Sequence, residues 1–97
     1  MAKYHFTNKA VEDLTEIWNY TLEAWSEKQA DKYYDLLLFS CNELAKNPNL
    51  GKNYELITEG MLGYRSGEHI IFYSIVSKNE IEVARILHGM MDLKSKL

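Results

Sequence analysis

Residues 68–76 alternate so that Ile70, Phe72, Ser74 and Val76 share one face of a strand and His69, Ile71, Tyr73 and Ile75 the other. Both faces are largely apolar. The run 80–88 repeats the pattern, with Ile81, Val83, Arg85 and Leu87 directed one way and Glu82, Ala84, Ile86 and His88 the other. A sheet with one solvated face shows polar residues there, so strands apolar on both faces require cover on both. Turn signals at Gly60, Ser66-Gly67 and Ser77-Lys78-Asn79 divide the carboxy-terminal part into runs 61–65, 68–76 and 80–88, a three-stranded antiparallel meander.

Cover for one face lies upstream. Tyr4 and Phe6 alternate with Lys3 and His5 as in a short strand, and Thr7 or Asn8 can cap the helix that follows. From Lys9 the period lengthens: Val11, Leu14, Ile17 or Trp18, Thr21 or Leu22, and Trp25 form one helical stripe about 17 residues long. Ser26-Glu27-Lys28-Gln29 has capping-box spacing and opens a second helix with the stripe Ala30, Tyr33 or Tyr34, Leu37, Leu38, Cys41, Leu44 and Ala45. Asn47-Pro48-Asn49-Leu50-Gly51 ends it. With almost no linker, the two helices fold back as a hairpin. Residues 52–60 are expected to be irregular. The class is α+β: an amino-terminal strand, an antiparallel helical hairpin and the meander, in one domain over 1–97.

For the second face, read as Ile70, Phe72 and Ile86, two kinds of cover are open. Either a partner chain completes it, or the tail 89–97 with Met90, Met91 and Leu93 closes it internally.

A chain of 97 residues with 46% hydrophobic content supports one core. Net charge is −3 and no basic stripe is present, which argues against direct, specific nucleic-acid binding. The lone Cys41, among Leu38, Leu44 and Ala45, reads as a small buried hydrophobe. No run approaches the ~20 apolar residues of a membrane span and the amino terminus lacks a signal-peptide pattern, so a cytoplasmic protein with no membrane partner is expected.

Arg85, in an apolar strand, needs a carboxylate from Asp13, Glu16 or Asp92, and a structural ion pair is the expected role. His69 and His88 stand on separate strands without ligand spacing, so no metal site is expected. Ser66, Ser74 and Ser77 fit no nucleophile elbow, the glycines form no phosphate loop, and no cofactor is implied. A general-acid role for His88 would need neighbours.

The order strand, helix, helix, three strands is joined by several local motifs. These are Ala10-Val11-Glu12-Asp13-Leu14 with Ile17-Trp18, Trp25-Ser26 with Gln29-Ala30, and Leu44-Ala45-Lys46-Asn47-Pro48 with Gly51. Glu68-His69-Ile70-Ile71-Phe72-Tyr73 and Arg85-Ile86-Leu87-His88 with Met91-Asp92 complete the set. In this order they resemble the ParE branch of the ParE/RelE toxin superfamily, the toxins of type II toxin-antitoxin modules that stabilise plasmids.

The resemblance implies a non-enzymatic toxin held inactive by a ParD-like antitoxin, whose flexible carboxy-terminal segment covers the toxin's apolar grooves. It implies DNA gyrase as the target, bound protein to protein. Ile70, Phe72, Ile86, Leu62 and Tyr64 are the expected antitoxin contacts. Arg65, His88, Met90 and Met91 are the expected target contacts.

RelE-like relatives cleave messenger RNA on the ribosome, chemistry that needs an acid, a base and cations at the developing phosphorane. Such nucleases carry an Arg where this chain has Ile70 and an aromatic hydroxyl where it has Gly89, which leaves His88 as the alternative catalytic acid. ParE-like chains in turn often carry basic residues where this one has Leu62, Glu68 and Met90. A toxin of weakened or altered target is therefore a further alternative.

Overall fold

Two long helices and five strands account for most of residues 2–55 and 58–89, the part of the chain that the structure, a computed structural model, describes. Strand β1 (Lys3–Phe6) leads to helix α1 (Asn8–Ala24) and helix α2 (Glu27–Lys46). A 3-10 turn (Pro48–Leu50) and the two-residue strand β2 (Lys52–Asn53) precede β3 (Leu62–Ser66), β4 (His69–Ser77) and β5 (Glu80–His88).

Local chemistry sets the helix starts. The extended Thr7 caps α1, its hydroxyl oxygen accepting the Ala10 amide at 3.1 Å, and Ser26 caps α2 by accepting the Gln29 amide at the same distance. Only Trp25 and Ser26 separate the helices, so α2 reverses along α1.

The sheet has the order β1-β5-β4-β3-β2, with β3, β4 and β5 antiparallel as the turn signals required. Two features add to the expected architecture. β1 lies parallel against β5, Lys3 opposite Glu80 and Phe6 opposite Val83. β2 pairs with β3 inside the stretch expected to be irregular.

The main core lies between the helices and one face of the sheet: Ala10, Leu14, Leu37, Cys41, Leu44 and Ala45 meet Ile71, Tyr73, Ile81, Val83 and Ile86. Burial pushes the Cys41 thiol up to about 12, so it packs and does not react. Tyr73 is fully buried, and its hydroxyl donates to the Pro48 carbonyl (2.6 Å) and accepts the Gly51 amide (3.0 Å). A Cβ on Gly51 would lie 2.4 Å from that hydroxyl, so only glycine lets the turn close on the sheet.

On α1 the buried positions are Ala10, Asp13 and Leu14, while Val11 (49% exposed) and Trp25 (74%) face outward, against the expected stripe. The small Ala10 lets the helix approach the sheet one position earlier. Trp25 falls at the helix end, beyond the core.

The other sheet face carries a second cluster, Met61, Ile70, Phe72 and Leu87, with Tyr54 and Ala84 packed on it. The expected grouping of Ile86 with Ile70 and Phe72 is corrected here. Ile71 pairs with Ile86 and Phe72 with Arg85, but Tyr73 pairs with Val83, which leaves Ala84 as an extra residue in β5. Such a bulge resets the alternation, so Ile86 turns to the helices and Leu87 takes the outer face.

Leu62 and Tyr64, opposite Tyr73 and Ile71, also pack on the helix side. Of the five expected antitoxin contacts, only Ile70 (8% exposed) and Phe72 (0%) lie on the outer face, and both are already buried. The Tyr54 ring stands edge-on to Phe72 with centroids 5.2 Å apart. A Cβ on Gly63 would lie 2.6 Å from Tyr54, so the missing side chain is what admits it. Leu56, Ile57, Met90, Met91, Asp92 and Leu93, with the rest of the tail, lie outside the described residues.

Candidate functional site

β1 ends opposite Val83, so among the described residues the edge of β5 beyond that point has no strand beside it. The start of α1 takes over its hydrogen bonding. The Thr7 amide donates to the Val83 carbonyl (3.0 Å) and the Thr7 hydroxyl to the Ala84 carbonyl (2.8 Å). Farther along, Asp13 Oδ2 accepts both the Ile86 amide (3.0 Å) and Arg85 Nε (2.8 Å), while Oδ1 accepts Arg85 Nη2 (3.0 Å).

Asp13 is thus, among the described residues, a carboxylate that Arg85 uses; Asp92, another that the sequence left open, lies outside them. The hydrogen bonds that Arg85 donates to Asp13 hold the guanidinium pKa still higher than usual. Arg85 serves to fasten helix to strand.

Past this clamp, α1 and β5 diverge and leave a cavity of about 390 Å3 between Glu16, Ile17 and Tyr20 on the helix and His69, Ile86 and His88 on the sheet. A second cavity, about 360 Å3, continues past Trp25, Gln29, Tyr33 and Glu68. Tyr20, His69 and His88 line both, so the two form one groove along α1. Tyr20 (71% exposed) and Trp25 stand on its rim.

His69 and His88 are register partners across β4 and β5, their rings edge to face with centroids 5.3 Å apart. Tyr33 anchors the first of them. Its hydroxyl accepts the Glu68 amide (2.9 Å) and lies 2.6 Å from His69 Nδ1, to which it donates when the imidazole proton is on Nε2. Burial, reinforced by the neighbouring His88, lowers the His69 pKa from 6.5 to about 4.

Between those values the unfolded chain binds a proton that the folded chain refuses. This contribution to stability is present above about pH 6.5 and is lost as the pH falls toward 4. Urea midpoints measured from pH 7.5 to 4.5 are expected to fall less steeply in His69→Gln than in the parent. Equal slopes would show that His69 titrates normally.

Arg65 donates from Nε to the Gly67 carbonyl (3.2 Å) and from Nη2 approaches Glu68 Oε2 (3.7 Å), both side chains being largely exposed. Gly89 closes the same end of the sheet: its amide donates to the Glu68 carbonyl (3.0 Å), and a Cβ on it would lie 3.1 Å from Arg65 Nη1. The structure therefore brings Arg65 and His88, two of the expected target contacts, to one end of the sheet. Met90 and Met91 lie outside the described residues.

Sequence reasoning missed Tyr20 and used Tyr33 only as a stripe position. Neither carries a local signal, since their roles arise from a groove built by distant segments.

A family model described as the ParE toxin of the type II toxin-antitoxin system, parDE, matches residues 4–93. The chain belongs to the ParE toxin family. Toxin ParE1 of Mycobacterium tuberculosis is 31% identical over 96 residues, covering 99% of this chain and 98% of that toxin. Toxin ParE1 of Caulobacter vibrioides is 30% identical over 97 residues, covering 100% and 99%. In fold, this ParE-family chain is similar to a chain of the chromosomal ParDE toxin-antitoxin system from P. aeruginosa, with a TM-score of 0.75, 19% identity and coverage of 91% and 96%. It is also similar to chains of the RelBE2 toxin-antitoxin complex from Mycobacterium tuberculosis (TM-score 0.61, 22% identity, coverage 93% and 93%) and of the YoeB-YefM complex from Staphylococcus aureus (0.57, 18%, 92% and 98%). The βααβββ order read from the sequence is thus a fold shared with chains of all three toxin-antitoxin systems. Among the described residues, no helix of this ParE-family chain is long and apolar enough to cross a membrane.

Proposed function

We propose that this type II toxin acts in the cytoplasm by binding DNA gyrase, without catalysis, and is held inactive by a ParD-like antitoxin. The observation that carries the non-enzymatic reading is the engagement of its two arginines. RNA cleavage by 2'-hydroxyl attack needs positive charge directed at the phosphorane. Arg85 is bound bidentately to Asp13, Arg65 lies against Glu68, and Ile70 is buried in an apolar cluster. His88, the remaining candidate acid, faces another imidazole.

The antitoxin surface moves with the corrected geometry. Ile70 and Phe72 are occupied within the chain, whereas the groove along α1 presents Tyr20 and Trp25 beside an apolar floor of Ile17 and Ile86. An amphipathic antitoxin segment fits that groove by burying its apolar face there.

Induced expression without antitoxin is expected to produce filamentous cells and a DNA-damage response, and the purified chain to inhibit gyrase supercoiling. Growth arrest with intact supercoiling and cleaved messenger RNA would overturn the gyrase reading. The nuclease alternative rests on His88 and predicts that His88→Ala, still folded, abolishes toxicity; undiminished toxicity removes it. Harmless expression of the folded chain would point instead to the weakened or altered target that Glu68 beside Arg65 raises.

A further inference from the structure

We propose that His69 and His88 form the protein half of an open site for a divalent transition-metal ion of the zinc, nickel or copper type. The inference stands independently of the gyrase reading. Three observations carry it.

The first is spacing. Two imidazoles bound at about 2.1 Å to one tetrahedral ion place their ring centres roughly 5 Å apart. The rings of His69 and His88 are 5.3 Å apart on directly opposed residues, close to the separation of two such ligands.

The second is the support behind His69. A metal on Nε2 requires the imidazole proton on Nδ1, where Tyr33 stands at 2.6 Å. The exchange balances within the chain. Nδ1–H then donates to the Tyr33 oxygen, which still accepts the Glu68 amide, and the tyrosine's own proton turns to the Ser66 carbonyl, 3.5 Å away. A ligating histidine is commonly oriented and made more basic by such a partner on its other nitrogen.

The third is access. Both rings open onto the cavities beside α1, with Glu16 and Gln29 on their walls. Water or an incoming group can therefore fill the remaining coordination positions. Among the described residues no group of three or more His, Cys, Asp or Glu gathers for a metal. The site is consequently of the open, exchangeable kind and not a closed structural centre. The sequence could not show it, because the two histidines are brought together only by the β4–β5 register.

The test uses the full chain stripped with chelator and titrated with nickel or zinc, with magnesium as control. His ring resonances are followed by nitrogen-15 correlation spectra and melting by circular dichroism. The expected result is one-to-one binding that moves the His69 and His88 resonances together and leaves His5 in place. Melting temperature should rise by roughly 10–20 °C at about a hundred times the dissociation constant. His69→Gln and His88→Gln should each abolish the shift, and Tyr33→Phe should weaken binding about tenfold or more while leaving its stoichiometry unchanged. No binding up to millimolar metal overturns the proposal. So does movement of only one of the two rings in the parent protein, a readout that needs no variant to fold.

Discussion

Asp13→Ala is expected to destabilise the fold by about 3 kcal/mol or more, the range found when one partner of a buried ion pair is removed. The substitution takes an acceptor from three donors at once, Arg85 Nε, Arg85 Nη2 and the Ile86 amide. With Arg85 only 18% exposed, water restores part of what the guanidinium loses and less of what the buried amide loses. Asp13→Asn keeps an oxygen for the amide but lacks the charge, and should fall between parent and alanine variant. Adding Arg85→Met to Asp13→Ala should recover part of the loss, because the charge that Asp13 had balanced is then gone. Urea denaturation of the purified variants measures all three. A loss under about 1 kcal/mol for Asp13→Ala would place the pair among solvated surface bridges and refute its role as the fastening of α1 to β5.

Phe72→Ala should cost about 3–5 kcal/mol, as expected for emptying a fully buried phenyl site. Met61, Ile70 and Leu87 surround the ring and Tyr54 meets it edge-on. These neighbours belong to separate strands and a loop, which limits their collapse into the void. The experiment also decides what the outer face is for. Were Phe72 part of an antitoxin surface, its removal would leave the isolated chain's stability nearly unchanged and weaken the complex. The structure predicts the opposite order of effects, with instability of the isolated toxin coming first.

Much of the fold was legible because its signals are local. The cap at Ser26, the break at Asn47-Pro48 and the turns at Ser66-Gly67 and Ser77-Lys78-Asn79 each act within a few residues. Arg85 was legible as a residue that must be paired, since buried charge demands it; which carboxylate answered depended on how α1 crosses β5. The faces of β5 were not legible. Alternation assumes one residue per step, and the extra Ala84 sends Ile86 to the side opposite that assumption. Leu62 and Tyr64 depended on the β3–β4 register and Phe72 on Tyr54 folding over it, both set by contacts distant in sequence. His69 and His88 failed as ligands by linear spacing and became neighbours only through pairing. In the groove, apolar floor and aromatic rim come from α1, α2, β4 and β5, so no single window of sequence contains it.

The place of β1 bears on the life history of the molecule. Its hydrogen-bonding neighbour is the last strand of the sheet, and Thr7 and Ala84, which join the two ends, are 77 residues apart in sequence. A ribosome adding about 5–20 residues per second reaches Glu80 only after roughly 4–16 s. Until then β1, α1 and β4 lack the strand on which all three dock. A chain halted before Glu80 has no β5 and so cannot build the groove. The toxin's shape is therefore conferred only once residues 80–88 have been made, and products of translation interrupted before them should be inert.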